Sequence, residues 1–276
     1  MDNLILLNTL ILGSIGLIAA LVLYLVSKKF MVETDETTVK IVDVLPQANC
    51  GGCGKAGCAD FASACAKADA DVFANLYCPV GGQKVMQKIA EIKGFEVAQK
   101  AQTTAVLLCQ GTCQNAPAKV VYEAVSSCRV ANRISSGQSG CPDGCLRLGD
   151  CIKSCKFGAL SLNEETGLPV IDSAKCVSCG ACAKVCPRGL FEIRPLSQNG
   201  SIVYVACRNK QKGAAARKNC KAACIGCMKC NKINEAIKVE NNISYIPADI
   251  DVEKYGAELV SNCPTGAIVY RENVRD

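Results

Sequence analysis

Residues Leu4 to Val26 read LILLNTLILGSIGLIAALVLYLV with no charged side chain, and as a helix this stretch reaches across about 30 Å of hydrocarbon. It predicts one transmembrane helix. Asp2 precedes the run and Lys28-Lys29 follow it, the reverse of a cleaved leader with its basic start and small-residue cleavage site. The basic pair predicts that the rest of the chain faces the cytoplasm. Gly13, Ser14 and Gly16 form a small-residue stripe suited to close helix packing.

Beyond the anchor no long periodic segment occurs. A polar connector, ETDETTVK, leads into KIVDVL, which reads as a short β-prone run stopped by Pro46. An alanine-rich helix, ADFASACAKADA, follows the first glycine-rich stretch. Farther on, ALSLNEETGLPVID reads as a hairpin, GLFEIRPL as the start of a second, and EAIKVENNISYIPADI with AIVY as strands of a related unit. AVLLCQ and VYVACR each run an apolar strand into a cysteine. The fold class is therefore α+β: a transmembrane anchor (1–27), a connector (28–45), a small helical domain (46–98), a linking region (99–140), a dicluster ferredoxin-like domain (141–200) and a degenerate ferredoxin-like domain (201–276).

Composition explains what so little regular structure is organised around. Cysteine is 22 of 276 residues and histidine is absent, which removes Cys2His2 zinc, His-ligated haem and Rieske clusters. Spacings of two or three residues favour metal thiolates over a disulfide framework, in agreement with a reducing compartment. The formal charge of +6 is offset once each [4Fe-4S] core with four thiolates adds roughly −2. With no Trp and 5% aromatic residues, no nucleic-acid partner is expected.

CVSCGACAKVCP places Cys176, Cys179, Cys182 and Cys186 in the Cys-x2-Cys-x2-Cys-x3-Cys-Pro spacing, in which the fourth cysteine serves the other of two clusters. Its partner run has Cys145, Cys151 and Cys155, with Leu148 at the second position and Cys141 taken as the substitute. The assignment is Cys155, Cys176, Cys179 and Cys182 for one cluster and Cys141, Cys145, Cys151 and Cys186 for the other. CGGCGKAGC and CPVGG supply Cys50, Cys53, Cys58 and Cys78 for a third, with zinc as the alternative. In the degenerate unit Cys224, Cys227 and Cys230 join Cys263, while Asn234 stands at the lost fourth position. Cys109, Cys128, Cys207 and Cys220 form a fifth set, or Cys113 joins Cys109 and Cys128. Cys65 reads as a small buried hydrophobe. About five [4Fe-4S] clusters are expected. Gly52 to Gly57 also matches G-x-G-x-x-G, but no apolar strand runs immediately into it and metal ligands interrupt it, so the dinucleotide turn is rejected.

The helix, CGGCGKAGC…CPVGG, GCLRLGDCIKSC and the ferredoxin-like repeats together resemble the B subunit of the Rnf complex, the ion-translocating ferredoxin:NAD oxidoreductase, over the whole length. The resemblance implies a single-pass subunit of the bacterial inner membrane, among other Rnf-type subunits and lipid. It further implies that soluble ferredoxin supplies electrons and that partner flavin and iron–sulfur subunits reduce NAD with Na+ or H+ export. No catalytic residue is expected on this chain itself. A membrane-tethered redox sensor or cluster scaffold is the alternative. Lys153, Lys156 and Arg188 stand near the dicluster run as charges able to attract an acidic partner.

Overall fold

The structure is a computed structural model that describes residues 2–29, 35–96, 101–134 and 137–272. Helix α1 (Asp2–Lys29) is followed by α2 (Glu36–Val44), α3 (Cys58–Lys67), α4 (Ala70–Asn75) and α5 (Gly82–Lys93). In α1, Leu10–Lys28 is long and apolar enough to cross a membrane, and its described side chains are exposed.

KIVDVL, expected as a strand within a connector, is helical. Asp35 caps α2 by accepting the Thr37 N–H, and Ile41 and Leu45 then fall four residues apart on one face. Ile41 and Leu45 are buried with Phe61, Phe73, Met86 and Ile89 of α3 to α5, so this helix belongs to the small domain's core. Cys65 lies in the same core, 0% exposed.

After this domain come β1 (Thr103–Leu107), α6 (Cys128–Ile134), α7 (Asp150–Ser154), β2 (Leu160–Leu162), β3 (Pro169–Ile171), α8 (Ala181–Val185) and β4 (Phe191–Pro195). A second unit repeats the plan with β5 (Ile202–Val205), α9 (Gly213–Asn219), α10 (Lys229–Ile233), β6 (Lys238–Glu240), β7 (Ile243–Tyr245), α11 (Val252–Asn262) and β8 (Ile268–Arg271). Each unit has one short hairpin, β2–β3 or β6–β7, and one antiparallel pair joining its first and last strands, β1–β4 or β5–β8. GLFEIRPL thus pairs backward with TTAVL, Leu107 opposite Phe191, rather than opening a new hairpin. The linking region accordingly contributes a strand to the first unit.

Strands β1 and β5 are buried on both faces, which is why they read as unbroken apolar runs. Val106 and Leu108 pack against Ile202, Tyr204 and Ala206 in a seam between the units. The alternate residues face inward: Ala105 and Leu107 join the first unit's core, Val203 and Val205 the second's. Gln110 N–H donates to the Ala206 carbonyl at 3.0 Å, carrying the seam past the strand ends.

Arg194, 3% exposed, crosses the seam from β4. Its guanidinium donates to the Val203 carbonyl (3.2 Å) and the Ile246 carbonyl (2.8 Å) and pairs with Glu192 at 3.2 Å. Truncating it strands a carboxylate and two carbonyls, so Arg194→Ala is expected to destabilise the holoprotein by about 3 kcal/mol. The check is a lowered thermal midpoint by circular dichroism with iron content unchanged at low temperature.

Candidate iron–sulfur sites

The runs around the cysteines share a backbone signature. The residue before the second motif position and the residue after it both take positive φ: Ser178 (58°) and Gly180 (74°) around Cys179, Gly226 (65°) and Met228 (60°) around Cys227. Arg147 (60°) and Gly149 (79°) do the same around Leu148. Such left-handed turns are uncommon for non-glycine residues and turn successive amides inward toward bound negative charge. The first unit therefore keeps the wrapped loop at Leu148 although the thiol there is missing.

Two of the expected sets line cavities of matching size. Cys155, Cys176, Cys179 and Cys182 line an empty volume of about 360 Å³ whose other walls include Ala105, Phe157, Leu160 and Ile193. Cys224, Cys227, Cys230 and Cys263 line another of about 360 Å³. Ser244 N–H points at Cys224 Sγ (3.5 Å), and the Ser244 hydroxyl lies 3.0 Å from Cys230 Sγ. In the small domain Cys50, Cys53 and Cys78 lie within electrostatic reach of one another. Gly52 and Gly81 amides approach the sulfurs of Cys50 and Cys78 at 3.4 Å each, and Cys58 opens α3.

The other two sets are partitioned differently from the sequence-based assignment. A volume of about 370 Å³ on the seam is lined by Cys109, Cys141, Cys145, Cys207 and Cys220, of which Cys145 also neighbours Cys128 and Cys151. Cys141 sits here because Asn209 Nδ2 donates to its sulfur (3.5 Å) and Arg188 donates to the Cys141 and Gly144 carbonyls. Cys128, at the start of α6, lies instead with Leu146 and Leu148, beside the missing second thiol. There it acts on Cys145 and Cys151, and Cys186 acts on Cys151 as well. Cys128 and Cys141 have exchanged places, and nothing in their local spacing marks the exchange. Cys113 is exposed, away from these cavities.

Arg188 is half-buried between Asn132, Cys141 and Gly144, not a free surface charge. Arg147 holds the loop below Cys109 by donating to the carbonyls of Gly111 (2.6 Å), Thr112 (2.9 Å) and Ala116 (2.8 Å).

The tetrads share their walls. Cys145 N–H points at Cys109 Sγ (3.4 Å), and the Cys224 amide donates to Cys207 Sγ. A side chain at Gly52, between Cys50 and Cys53, would meet the Cys179 backbone at 3.0 Å. Lys184 Nζ reaches the Gly51 carbonyl at 3.3 Å beside this contact.

The donor sets fit polynuclear iron–sulfur cores. Among the described residues no three Cys, Asp or Glu side chains converge tightly enough for a single metal ion, whereas four thiols line each of two volumes of about 360 Å³ and five line one of about 370 Å³. Burial first, and neighbouring sulfurs second, push Cys145, Cys151 and Cys207 up to about 12 and Cys182 to about 11. Thiolates here need a cation to exist at neutral pH. Cys263 is the exception: burial raises it, but the amides and hydroxyl of Thr265 and the amides of Ile268 and Ala267 outweigh that and leave it lowered.

Residues 140–190 match the family described as "4Fe-4S dicluster domain", and residues 45–73 match the family described as "Putative Fe-S cluster". The B subunit of the Na(+)-translocating ferredoxin:NAD(+) oxidoreductase complex of Acetobacterium woodii is 40% identical over 270 residues, 97% of this chain and 78% of its own length. The B subunit of the ion-translocating oxidoreductase complex of Methanosarcina acetivorans is 36% identical over 97% of this chain and 99% of its own. The B subunit of the proton-translocating ferredoxin:NAD(+) oxidoreductase complex of Clostridium ljungdahlii is 39% identical over 96% and 92%.

Iron counts of Cys-to-Ser variants should distinguish the partition: the Cys128/Cys151 pair should lose about four irons, the same as either single change, and the Cys128/Cys141 pair about eight. Equal losses in the two double variants would restore the sequence-based assignment. In the iron-free chain, thiol pKa values raised in the fold stabilise it fully below the ordinary value of 9.0. That stability should drain away as pH rises toward about 12, read as falling ellipticity.

Proposed function

The chain belongs to the family of B subunits of the ion-translocating ferredoxin:NAD oxidoreductase complexes, and we propose that it takes electrons from reduced ferredoxin and passes them along five cysteine tetrads. Their destination is the set of flavin and iron–sulfur partner subunits that reduce NAD with Na+ or H+ translocation. The observation that carries this reading is the series of contacts between neighbouring tetrads, at Gly52–Cys179, Cys145–Cys109 and Cys224–Cys207, with the second and third tetrads in one core. When bound, [4Fe-4S] clusters supply reversible one-electron storage, and four thiolates leave each closed to substrate chemistry.

In this reading Cys50, Cys53, Cys58 and Cys78 form one end of the series. The Gly52–Cys179 contact brings that tetrad beside Cys155, Cys176, Cys179 and Cys182. Next comes Cys128, Cys145, Cys151 and Cys186, whose Cys145 amide faces Cys109 of the seam tetrad, Cys109, Cys141, Cys207 and Cys220. The Cys224 amide then links Cys207 to the last tetrad, Cys224, Cys227, Cys230 and Cys263. Amides that bridge one tetrad's backbone to the next one's sulfur stabilise thiolate charge and fix the spacing between storage sites. Apolar walls such as Ala105, Phe157 and Leu160 exclude water from the second tetrad and hold its ligands in place. Burial of Cys109, Cys128, Cys141, Cys151, Cys182, Cys207, Cys220 and Cys224 suits retained clusters better than a scaffold that hands them on.

The segment Leu10–Lys28 anchors the relay in the membrane, and Lys28-Lys29 orient its domains to the cytoplasm. In this reading nicotinamide reduction belongs to the partner subunits.

Purified alone with its clusters, the chain is expected to be bleached by reduced ferredoxin and to form no NADH. Spectrophotometry under anaerobic conditions reads both, and NADH formation by the isolated chain would overturn the division of labour. Gly52→Val, whose side chain would meet both the Cys179 backbone and the Pro79 ring at 3.0 Å, is expected to slow electron passage between the two regions, read by freeze-quench EPR beside an iron count.

A further inference from the structure

From Arg208 to Lys232 the chain carries eight lysines and arginines and no acidic residue, while the whole chain has a formal charge of +6. The remaining residues therefore sum to −2 (6 − 8), so the positive charge is concentrated on one stretch of 25 residues. All eight side chains are exposed, and none is in a salt bridge among the described residues.

A basic run is ordinarily no more than a solvated face, but this one wraps the sites. It supplies Cys220 to the seam cavity and Cys224, Cys227 and Cys230 to the last one. Cys227 is exposed within it, Met228 beside it is 50% exposed, and Lys229 lines the last cavity, so that cavity meets the surface inside the basic stretch, between Lys221 and Lys229 in sequence. The face continues into a cleft between the units, with an empty volume of about 900 Å³, whose walls include Arg208, Lys210 and Lys238 and whose floor touches Cys207 and Ser244. Glu192 and Glu240 also line the cleft, but Glu192 is paired with Arg194, and the balance stays positive.

We propose that this face is the docking surface for a small acidic electron-carrier protein, which gives up its electron beside Cys227. This rests on the reading above that reduced ferredoxin is the donor, and it adds where on the chain that donor lands. One electron leaves the carrier and one enters the cluster held by Cys224, Cys227, Cys230 and Cys263. No bond is made or broken and no proton moves. Positive charge surrounding an exposed edge steers an acidic protein to it and orients it there, an effect that salt screens over about 8 Å at physiological ionic strength.

The test uses the membrane-embedded holo complex in stopped flow with two reductants, a reduced acidic [4Fe-4S] ferredoxin and the cationic methyl viologen radical. Lys212→Glu, Lys218→Glu and Lys221→Glu together should slow reduction by ferredoxin about tenfold at low salt and flatten its salt dependence, leaving reduction by viologen at least as fast. Lys84→Glu with Lys88→Glu, exposed on α5 of the small domain, should leave ferredoxin kinetics unchanged. If the reversed variant loses iron, neutralisation by Lys212→Gln and Lys218→Gln replaces it, with about threefold slowing expected. Wild-type ferredoxin kinetics in the charge-changed variants overturn the docking face while leaving ferredoxin as donor. Rates that answer only to the fraction of anionic lipid in the vesicle also overturn it, and assign the face to the membrane. A wild-type complex reduced by viologen and never by ferredoxin rejects the donor itself, and the docking face falls with it.

Discussion

Burying thiolates is the constraint on which this structure depends. A carboxylate or thiolate taken out of water is neutralised by a proton unless a cation stands beside it, and here Cys145, Cys151 and Cys207 are pushed to about 12 by burial and by one another. Iron resolves that conflict because it replaces many protons with one compact positive core. The cysteines also occupy the places that large apolar side chains fill elsewhere: they run through the cores of the small domain and of both repeated units. Strands of three to five residues and helices of five bury too little apolar area to hold themselves. Cluster binding would therefore add its free energy to that of folding in this molecule.

What the sequence reveals depends on whether a ligand set is local. Cys176, Cys179, Cys182 and Cys186 are readable because one turn of chain forms most of the site, and the loop geometry recurs even at Leu148, where the thiol is gone. Spacing alone misplaces Cys128 and Cys141 because their partners lie in other elements, and proximity along the chain favours Cys141 for the Cys145 run. Only the position of Cys128 beside Leu146 and Leu148 settles where it lies, a packing fact with no periodic signature. The likeness of AVLLCQ to VYVACR does reveal the equivalent places of Cys109 and Cys207. KIVDVL misleads for a different reason: β-branched residues suggest a strand, while the cap at Asp35 and the i, i+4 pair Ile41 and Leu45 decide for a helix.

Charge is distributed as unevenly as sulfur. All the lined cavities have apolar walls, as at Ala105, Phe157 and Ile193 or at Val205, Ala267 and Ile268, but eight exposed cations and no acidic residue fall in the stretch from Arg208 to Lys232 that supplies Cys220, Cys224, Cys227 and Cys230. Buried guanidiniums serve structure: Arg194 ties β4 to the second unit, Arg147 fixes the loop under Cys109, and Arg188 turns Cys141 toward the seam. The exposed cations between Arg208 and Lys232 form no salt bridge among the described residues, so their field is directed at solvent and at whatever approaches through it.

The seam tetrad joins these features. Cys109 and Cys141 come from the first unit and its approach strand, and Cys207 and Cys220 come from the second. A site whose four ligands are split between two units ties them as a cross-link would, with the packing of Val106 and Leu108 on Ile202 and Tyr204 holding the same interface dry. Electron passage requires fixed spacing between storage sites, and two small units joined by loops alone would not provide it. In the proposed series the second unit, with Asn234 where a fourth thiol would stand, joins the first through Cys207 and Cys220. The amides of Cys145 and Cys224, each directed at a sulfur of the seam set, then fix the tetrads on either side to that shared centre.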